Sequence, residues 1–277
     1  MDLVTLNNNV EIPELGLGIY KIAETDVERV VTTAIHAGYR AIDTAWFYKN
    51  ESALGTALKH VNIDREDLFI TTKLWNDFQG YDETLKAFDD SMRALQLEYL
   101  DMYLIHWPCP EDELFIETYK ALEHLYKAGK IKAIGVCNFK EHHLETLMAA
   151  TEIVPAVNQV EFHPLFNQAE LQTYCESKGI KVMAWSPLMR GGEWLEHPIL
   201  SSLADKHRKT AAQIIIKWHL QQNRLVIPKS QNDDRIKENF DVFDFELSKE
   251  DLEAIDSLHT NERQFRDPDD VKIGDMK

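Results

Sequence analysis

Asp43, Tyr48, Lys73 and His106 are the side chains of this sequence whose types, taken together, suggest chemistry. The first two lie in one stretch, Gly38–Glu51, which reads GYRAIDTAWFYKNE: a short apolar run ending in a carboxylate, then a loop carrying a phenol. A phenol ordinarily titrates near pH ~10 and is a poor acid at neutral pH, and burial would raise that value further. An ammonium beside it would stabilise the phenolate. At ~4 Å and an effective dielectric of ~20 that attraction is about 4 kcal/mol, worth up to roughly three pKa units. Lys73 can supply the charge, Asp43 can keep Lys73 protonated and aimed, and His106 can donate a hydrogen bond to a carbonyl oxygen as it becomes an alkoxide. The set suits reduction of C=O, with a proton from Tyr48. No side chain supplies hydride, so a nicotinamide is implied.

These four act together only if the elements that carry them converge. The N-terminus reads as a β-hairpin, Val4–Leu6 and Val10–Ile12 flanking Asn7-Asn8-Asn9, because Asn tolerates the positive φ of a tight turn. After it one unit repeats: a short apolar strand, a loop, an amphipathic helix. Strands are expected at Leu15–Gly18, Tyr39–Asp43, Phe69–Lys73, Asp101–Ile105, Ala133–Cys137, Ala156–Glu161, Lys181–Trp185 and Leu225–Ile227. Helices are expected at Asp26–His36, Glu51–His60, Tyr81–Leu95, Glu111–Ala128, Glu141–Ala149, Gln168–Ser177, Ala211–Gln222 and Asp233–Phe240. Gly38, Gly129 and Gly179 stand where helix C-caps belong. A further helix, Lys249–Leu258, follows Ser248 as N-cap, with Asp251 at the capping-box position. Eight evenly spaced strands alternating with helices over ~250 residues predict an α/β fold, a (β/α)8 TIM barrel with an N-terminal hairpin and extra C-terminal helices, over an open doubly wound sheet. With no linker or low-complexity tract, residues 1–277 read as one domain.

In such a barrel the active site lies at the carboxyl ends of the strands. Asp43 and Lys73 end strands two and three; strands four and five run into His106 and Asn138; strand six carries Gln159 and Glu161; strand seven runs into Ser186 and strand eight into Pro228-Lys229-Ser230. Any one polar residue at a strand end can simply meet water; their convergence on one rim favours function. For the cofactor, Gly16-Leu17-Gly18 resembles the start of G-x-G-x-x-G, but position 21 is Lys, so the Rossmann fingerprint fails. The better phosphate site is Ile227-Pro228-Lys229-Ser230, leading into a helix near Asp233, where barrels frequently bind phosphate on free N–H groups. Lys229 and Arg235 add charge for a 2′-phosphate, favouring NADPH over NADH.

Composition sets the limits. The net charge of −17 argues against nucleic acid and anionic membranes as partners. Cys109, Cys137 and Cys175 are far apart and form no C-x-x-C pair, which suits a reducing, cytoplasmic setting. The N-terminal residues lack a signal-peptide pattern, and no apolar run approaches the ~20 residues of a membrane span. No H-E-x-x-H, C-x-x-C or G-x-S-x-G occurs, so metal or serine hydrolysis has no support. His60, His142 and His143 read as surface histidines, His163 as structural, and Asp267–Asp270 as a solvated run.

The motifs GYRAIDTAWFYKNE, TTKLW, LIHWP, IGVCNF, NQVEFHP, AWSPL and IPKS followed by RIKEN resemble, in order, those of the aldo-keto reductases, and most closely the compact bacterial members that act on methylglyoxal and keto-sugars. The resemblance implies a TIM barrel, NADPH-dependent reduction of aldehydes or ketones, and a tetrad of Asp43, Tyr48, Lys73 and His106. It carries nicotinamide contacts onto Asn138 and Gln159, stacking onto Trp185 in place of the usual Tyr, and cofactor contacts onto Ser186 and Leu188. Lys229, Ser230, Arg235, Glu238 and Asn239 would hold the adenosine and its 2′-phosphate. Cys137 replaces a usual Ser and is a weaker hydrogen-bond partner. Tyr20 and Trp107, with His106, match positions that line the substrate pocket. The tail after Asn261 is short beside vertebrate members, which implies an open pocket and broad substrate choice. A monomer acting on small carbonyl compounds is expected. Two other functions stay in view: a cofactor-binding regulatory subunit with little turnover, and a glycosidase using Asp43 and Glu161 as paired carboxylates.

Overall fold

Why the strands close on themselves is visible in their pairing. In a computed structural model that describes residues 2–275, β1 (Leu3–Thr5) and β2 (Glu11–Pro13) form the antiparallel hairpin. Then β3 (Leu17–Gly18), β4 (Ala41–Asp43), β5 (Phe69–Leu74), β6 (Leu100–Ile105), β7 (Ile131–Cys137), β8 (Val157–Glu161), β9 (Lys181–Trp185) and β10 (Leu225–Val226) pair in sequence order, each parallel to the next. Parallel bridges Leu15–Val226 and Gly18–Lys229 join the first to the last. Gly16 N–H donates to Val226 O at 2.9 Å and Gly18 N–H to Pro228 O at 3.1 Å. The sheet is therefore a closed (β/α)8 barrel, as the strand count predicted.

Side-chain alternation along these strands builds two apolar layers. Ile42, Ile70, Tyr103, Ile105, Ile134, Val136, Val160 and Val182 face outward and pack with the helices. Ala41, Phe69, Met102, Leu104, Ala133, Val157, Met183 and Leu225 face inward and fill the barrel, and Leu6 and Ile12 of the hairpin join them, so the hairpin plugs the amino end. The inward parity is the one shared by Asp43, Lys73, His106, Cys137, Gln159, Glu161 and Trp185. The pattern that packs the barrel thus brings its polar groups to one mouth.

Around the sheet run α1 (Glu24–Ala37), α2 (Glu51–His60), α3 (Tyr81–Leu95), α4 (Phe115–Lys127), α5 (Glu141–Ala150), α6 (Ala169–Ser177), α7 (Pro198–His207), α8 (Ala211–Gln221), α9 (Asp233–Phe240) and α10 (Lys249–Asp256). Gly38 closes α1 in the left-handed region, its N–H donating to Ala34 O and Ile35 O. Ser248 and Asp251 form the expected capping box on α10. The helix expected over Glu111–Ala128 begins only at Phe115, because Cys109 and Glu113 adopt positive φ (44° and 53°) on either side of a 3-10 turn at Pro110–Asp112. Helix α7 has no counterpart in the sequence reading; it opens on Pro198 after the positive-φ pair Gly191-Gly192. Strand ends lie up to two residues from their expected places, which is the usual spread of such boundaries.

Where α2 crosses α3, Gly55 lets two backbones touch: a Cβ there would lie 2.4 Å from Leu95 O and 2.6 Å from Leu95 C. Ala raises intrinsic helix propensity by about 1 kcal/mol, yet overpacking against main chain costs about 1–3 kcal/mol or more. Gly55→Ala is therefore expected to lower the urea midpoint; an unchanged or higher midpoint would contradict this close approach.

Candidate active site

At the carboxyl mouth, β4 and β5 present Asp43 and Lys73 from the same inward parity. Lys73 is fully buried, and its ammonium spends each of its three protons: on Asp43 Oδ1 at 2.5 Å, Thr44 O at 2.8 Å and the Tyr48 hydroxyl at 3.2 Å. Asp43 Oδ2 accepts from Gln159 Nε2 at 2.7 Å. Thr44 is held by Asn50, whose carbonyl accepts the Thr44 hydroxyl at 2.7 Å while its amide donates to Ile19 O at 2.9 Å. Tyr48 ends a 3-10 turn, Trp46–Tyr48, closed by its own N–H on Ala45 O at 3.0 Å. That turn brings the phenol back over the end of β5.

Burial and charge oppose one another here. Burial alone would lower the pKa of Lys73, but the bonded Asp43 carboxylate opposes it and the ammonium is held above its ordinary value. Burial raises Asp43 against the pull of Lys73 and Gln159; because both its oxygens accept hydrogen bonds, the proton stays on Lys73. For Tyr48 the sequence sets burial, which raises the pKa, against the ammonium, which lowers it. In the structure both act, and burial raises it by more than Lys73 lowers it. His106, 9% exposed, is pushed well below the usual imidazole value by burial and by Lys73, so it is neutral at working pH. Its ring lies edge-on to Tyr48, centroids 5.8 Å apart.

The expected nicotinamide residues surround this group. Trp185 Nε1 donates to Asn138 Oδ1 at 3.0 Å, and Asn138 Nδ2 donates to His106 O at 2.9 Å. Asn138 has φ 63°, which turns it off the strand toward the mouth. Its amide keeps one N–H and one lone pair free, and the side-chain Oε1 of Gln159 accepts no hydrogen bond among the described residues. The buried Cys137 thiol is raised by burial against Lys73 and stays neutral. Ser186, at φ 53°, and half-buried Leu188 form the tight turn after β9, Met189 N–H closing on Ser186 O at 3.0 Å.

The phosphate residues lie at the barrel seam. Lys229 follows β10 beside β3, its pKa lowered by burial and then by neighbouring Lys21. Among the described residues Lys21, Lys229 and the exposed Arg235 enter no ion pair, although the chain is strongly acidic; the neighbouring ammoniums of Lys21 and Lys229, unneutralised, fit an anion. Ser230 bonds within its own turn to Asn232, which caps α9 through Arg235 N–H at 3.0 Å. Glu238 accepts the Thr210 hydroxyl at 2.9 Å. Asn239 is buried, its Oδ1 without a partner among the described residues. Free amide atoms at one end and unpaired cations at the other suit a phosphorylated dinucleotide. Lys21, which breaks the glycine fingerprint, has no local sequence signal that marks this place beside Lys229.

Of the expected pocket residues, Tyr20 is exposed and packs on Tyr48 at 4.9 Å between centroids. Trp107 is buried in an apolar cluster with Trp75, Cys109 and Val271. Trp75 stacks on Phe47 at 3.9 Å and meets His106 edge-on at 5.3 Å, so both belong to the same wall. The tail does not leave the mouth bare: Val271 packs beside Trp107, and Phe265 meets Trp185 edge-on at 4.6 Å. Nothing in the tail's composition marks this return. His143 is also not a surface residue: it is 2% exposed, and Asp267 and Asp269 are engaged rather than free, paired with Lys140 at 2.5 and 2.7 Å. The ligand atoms of His142, His143 and Asp269 lie within 4.8 Å of one another, a spacing seen in metal sites. However, His143 Nδ1 accepts the Lys140 backbone N–H at 3.1 Å, which leaves the proton on Nε2, so the trio ties down the tail. Glu161 is fully buried, its Oε1 taken by Gln264 N–H at 2.6 Å. That removes it from the paired-carboxylate role a glycosidase needs.

Comparison with known proteins agrees with this geometry. Residues 14–260 match the model of the Aldo/keto reductase family. Glyoxal reductase of Bacillus subtilis is 51% identical over 271 residues, covering 98% of this chain and 97% of its own. Methylglyoxal reductase DkgA of Escherichia coli is 44% identical over 268 residues, covering 96% and 97%. Among solved structures, a Gox0644 variant in complex with NADPH superposes with a TM-score of 0.94 at 43% identity over 98% of each chain. With a barrel, a mouth and a sequence all of this kind, the chain is an oxidoreductase that belongs to the aldo/keto reductase family.

Proposed function

We propose that this enzyme reduces small aldehydes and ketones, dicarbonyls and keto-sugars among them, to alcohols with NADPH, and that Tyr48 is the proton donor. The observation that carries this reading is the buried Lys73 ammonium, bonded at once to Asp43 and to the Tyr48 hydroxyl. The names of the glyoxal and methylglyoxal reductases support small dicarbonyls as substrates, and the NADPH complex of a structural relative supports the cofactor. Trp185, Asn138, Gln159, Ser186 and Leu188 would hold the nicotinamide end. Lys229, Ser230, Arg235, Glu238 and Asn239, with Lys21, would hold the adenosine phosphate end. Three buried, unpaired cysteines suit a cytoplasmic setting.

Bound NADPH supplies the hydride; the chain handles the oxygen. Neutral His106 carries one N–H to aim at the carbonyl oxygen. Tyr48 stays protonated in the resting site because burial holds its pKa up, and a phenol is still a far stronger acid than the alcohol being formed. As its proton leaves, the phenolate is stabilised by Lys73, which Asp43 keeps charged. Tyr20 and Trp107 would border the substrate.

Tyr48→Phe is expected to cut kcat for methylglyoxal reduction by about 10²–10⁴-fold with NADPH affinity close to wild type. A variant that still turned over would remove Tyr48 from the acid role, and wild-type NADPH binding with no turnover on a broad carbonyl panel would favour a regulatory subunit. Lys229→Ala should weaken NADPH by roughly 1.5–3 kcal/mol, the worth of a hydrogen bond to a charged group, and leave NADH almost untouched; equal losses would argue against 2′-phosphate recognition. In a pH series, kcat/KM should run flat through neutrality, since His106 is already neutral and Tyr48 still protonated there. An inflection near ~6.5, the ordinary imidazole value, would show that His106 titrates after all.

A further inference from the structure

The segment after α10, residues 257–275, is tied to the barrel mouth by a buried carboxylate that the chemistry above does not use. Glu161 ends β8 on the inward parity and is fully buried. Its Oε1 accepts the Gln264 N–H at 2.6 Å and lies 3.0 Å from His163 Nε2. Among the described residues its Oε2 has no hydrogen-bond partner; the Arg263 guanidinium stands 4.0 Å away. The adjoining tail grips the loop that follows β8. The N–H groups of Thr260 and Glu262 both donate to Leu165 O, at 3.1 and 3.2 Å, and Arg263 lies over the Phe166 ring at 4.5 Å. Next along the tail, Phe265 meets Trp185 edge-on, with the Arg190 guanidinium 4.1 Å from its ring. Trp185 in turn donates to Asn138.

A buried carboxylate is costly unless it is hydrogen-bonded and near a counter-charge. For Glu161 the tail adds the Gln264 N–H and the Arg263 charge to the contact with His163. Undocking the tail would leave the carboxylate with His163 alone, so the docked tail is favoured by more than its own half-exposed contacts.

We propose that Glu161 is a positioning residue of the reductase: by holding the Gln264 N–H it seats Phe265 against Trp185 and Arg190, and so fixes the indole plane and the turn Ser186–Met189. This rests on the reading of Trp185 as a wall of the nicotinamide site. Two measurements test it, amide hydrogen exchange over residues 260–266 without cofactor, and NADPH titration with steady-state kinetics. Glu161→Gln retains an acceptor oxygen and should match wild type in both. Glu161→Ala, and Gln264→Pro, which deletes the donated N–H and leaves the carboxylate in place, should speed exchange roughly tenfold or more. Both should also raise the NADPH Kd and KM about fivefold while kcat at saturation holds. Phe265→Ala should give the same NADPH loss, and combining it with Glu161→Ala should add nothing further. Faster exchange with wild-type NADPH affinity, or losses that sum in the double variant, would overturn the proposal and leave Glu161 a purely structural anchor. If Glu161→Ala does not fold, Gln264→Pro and Phe265→Ala carry the same comparison. A wild-type protein that binds no NADPH would instead refute the proposed function, while the exchange result would still decide whether Glu161 anchors the tail.

Discussion

The structure depends on one buried ion pair. Lys73 has no contact with water, and every proton of its ammonium is spoken for by Asp43, Thr44 and Tyr48. Breaking such a pair by removing one partner typically costs about 3–5 kcal/mol, because the other charge is left stranded. Gln159 completes Asp43 and Asn50 positions Thr44, so residues from three strands and a loop are committed to one charge. Hydrophobic side chains of similar volume would stabilise the barrel at least as well. What the ion pair adds is a phenol held in a defined place beside a permanent positive charge.

Barrel alternation makes that arrangement inexpensive to place. The inward positions that carry Ala41, Phe69, Met102 and Val157 in the apolar interior carry Asp43, Lys73, His106 and Gln159 one or two steps later at the mouth. A shift of one residue in any of these strands would turn its polar group into the helix layer and an apolar one into the site. Packing and chemistry are therefore fixed by the same register. Gly135 belongs to this register too: a Cβ there would lie 2.5 Å from Val157 O.

Much of this was legible in the sequence because short apolar runs and Gly-closed helices are local signals. All eight barrel strands, and the gathering of Asp43, Tyr48, Lys73 and His106 at one mouth, follow from them. What was illegible depends on distant partners. The net rise in the Tyr48 pKa reflects how completely its surroundings exclude water, which composition does not state. His143 reads as a surface residue in the sequence, yet it shares the inner face of α5 with Leu144 and Leu147. The tail lacks periodicity altogether, so its return over Trp107 and Trp185 could not be read from it. In the sequence Lys21 does no more than break a glycine pattern, whereas its place beside Lys229 follows from barrel closure.

That closure has a consequence in time. The seam joins residues near Leu15 and Gly18 to residues near Val226 and Lys229, so nearly the whole polypeptide must be present before first and last strands can meet. During synthesis the nascent barrel emerges as an open sheet with two unpaired edges, the kind of species that adheres to its neighbours. The cation pair at the seam comes into being only with the final stitch, and a dinucleotide captured there would fasten together the two ends that were made furthest apart on the ribosome.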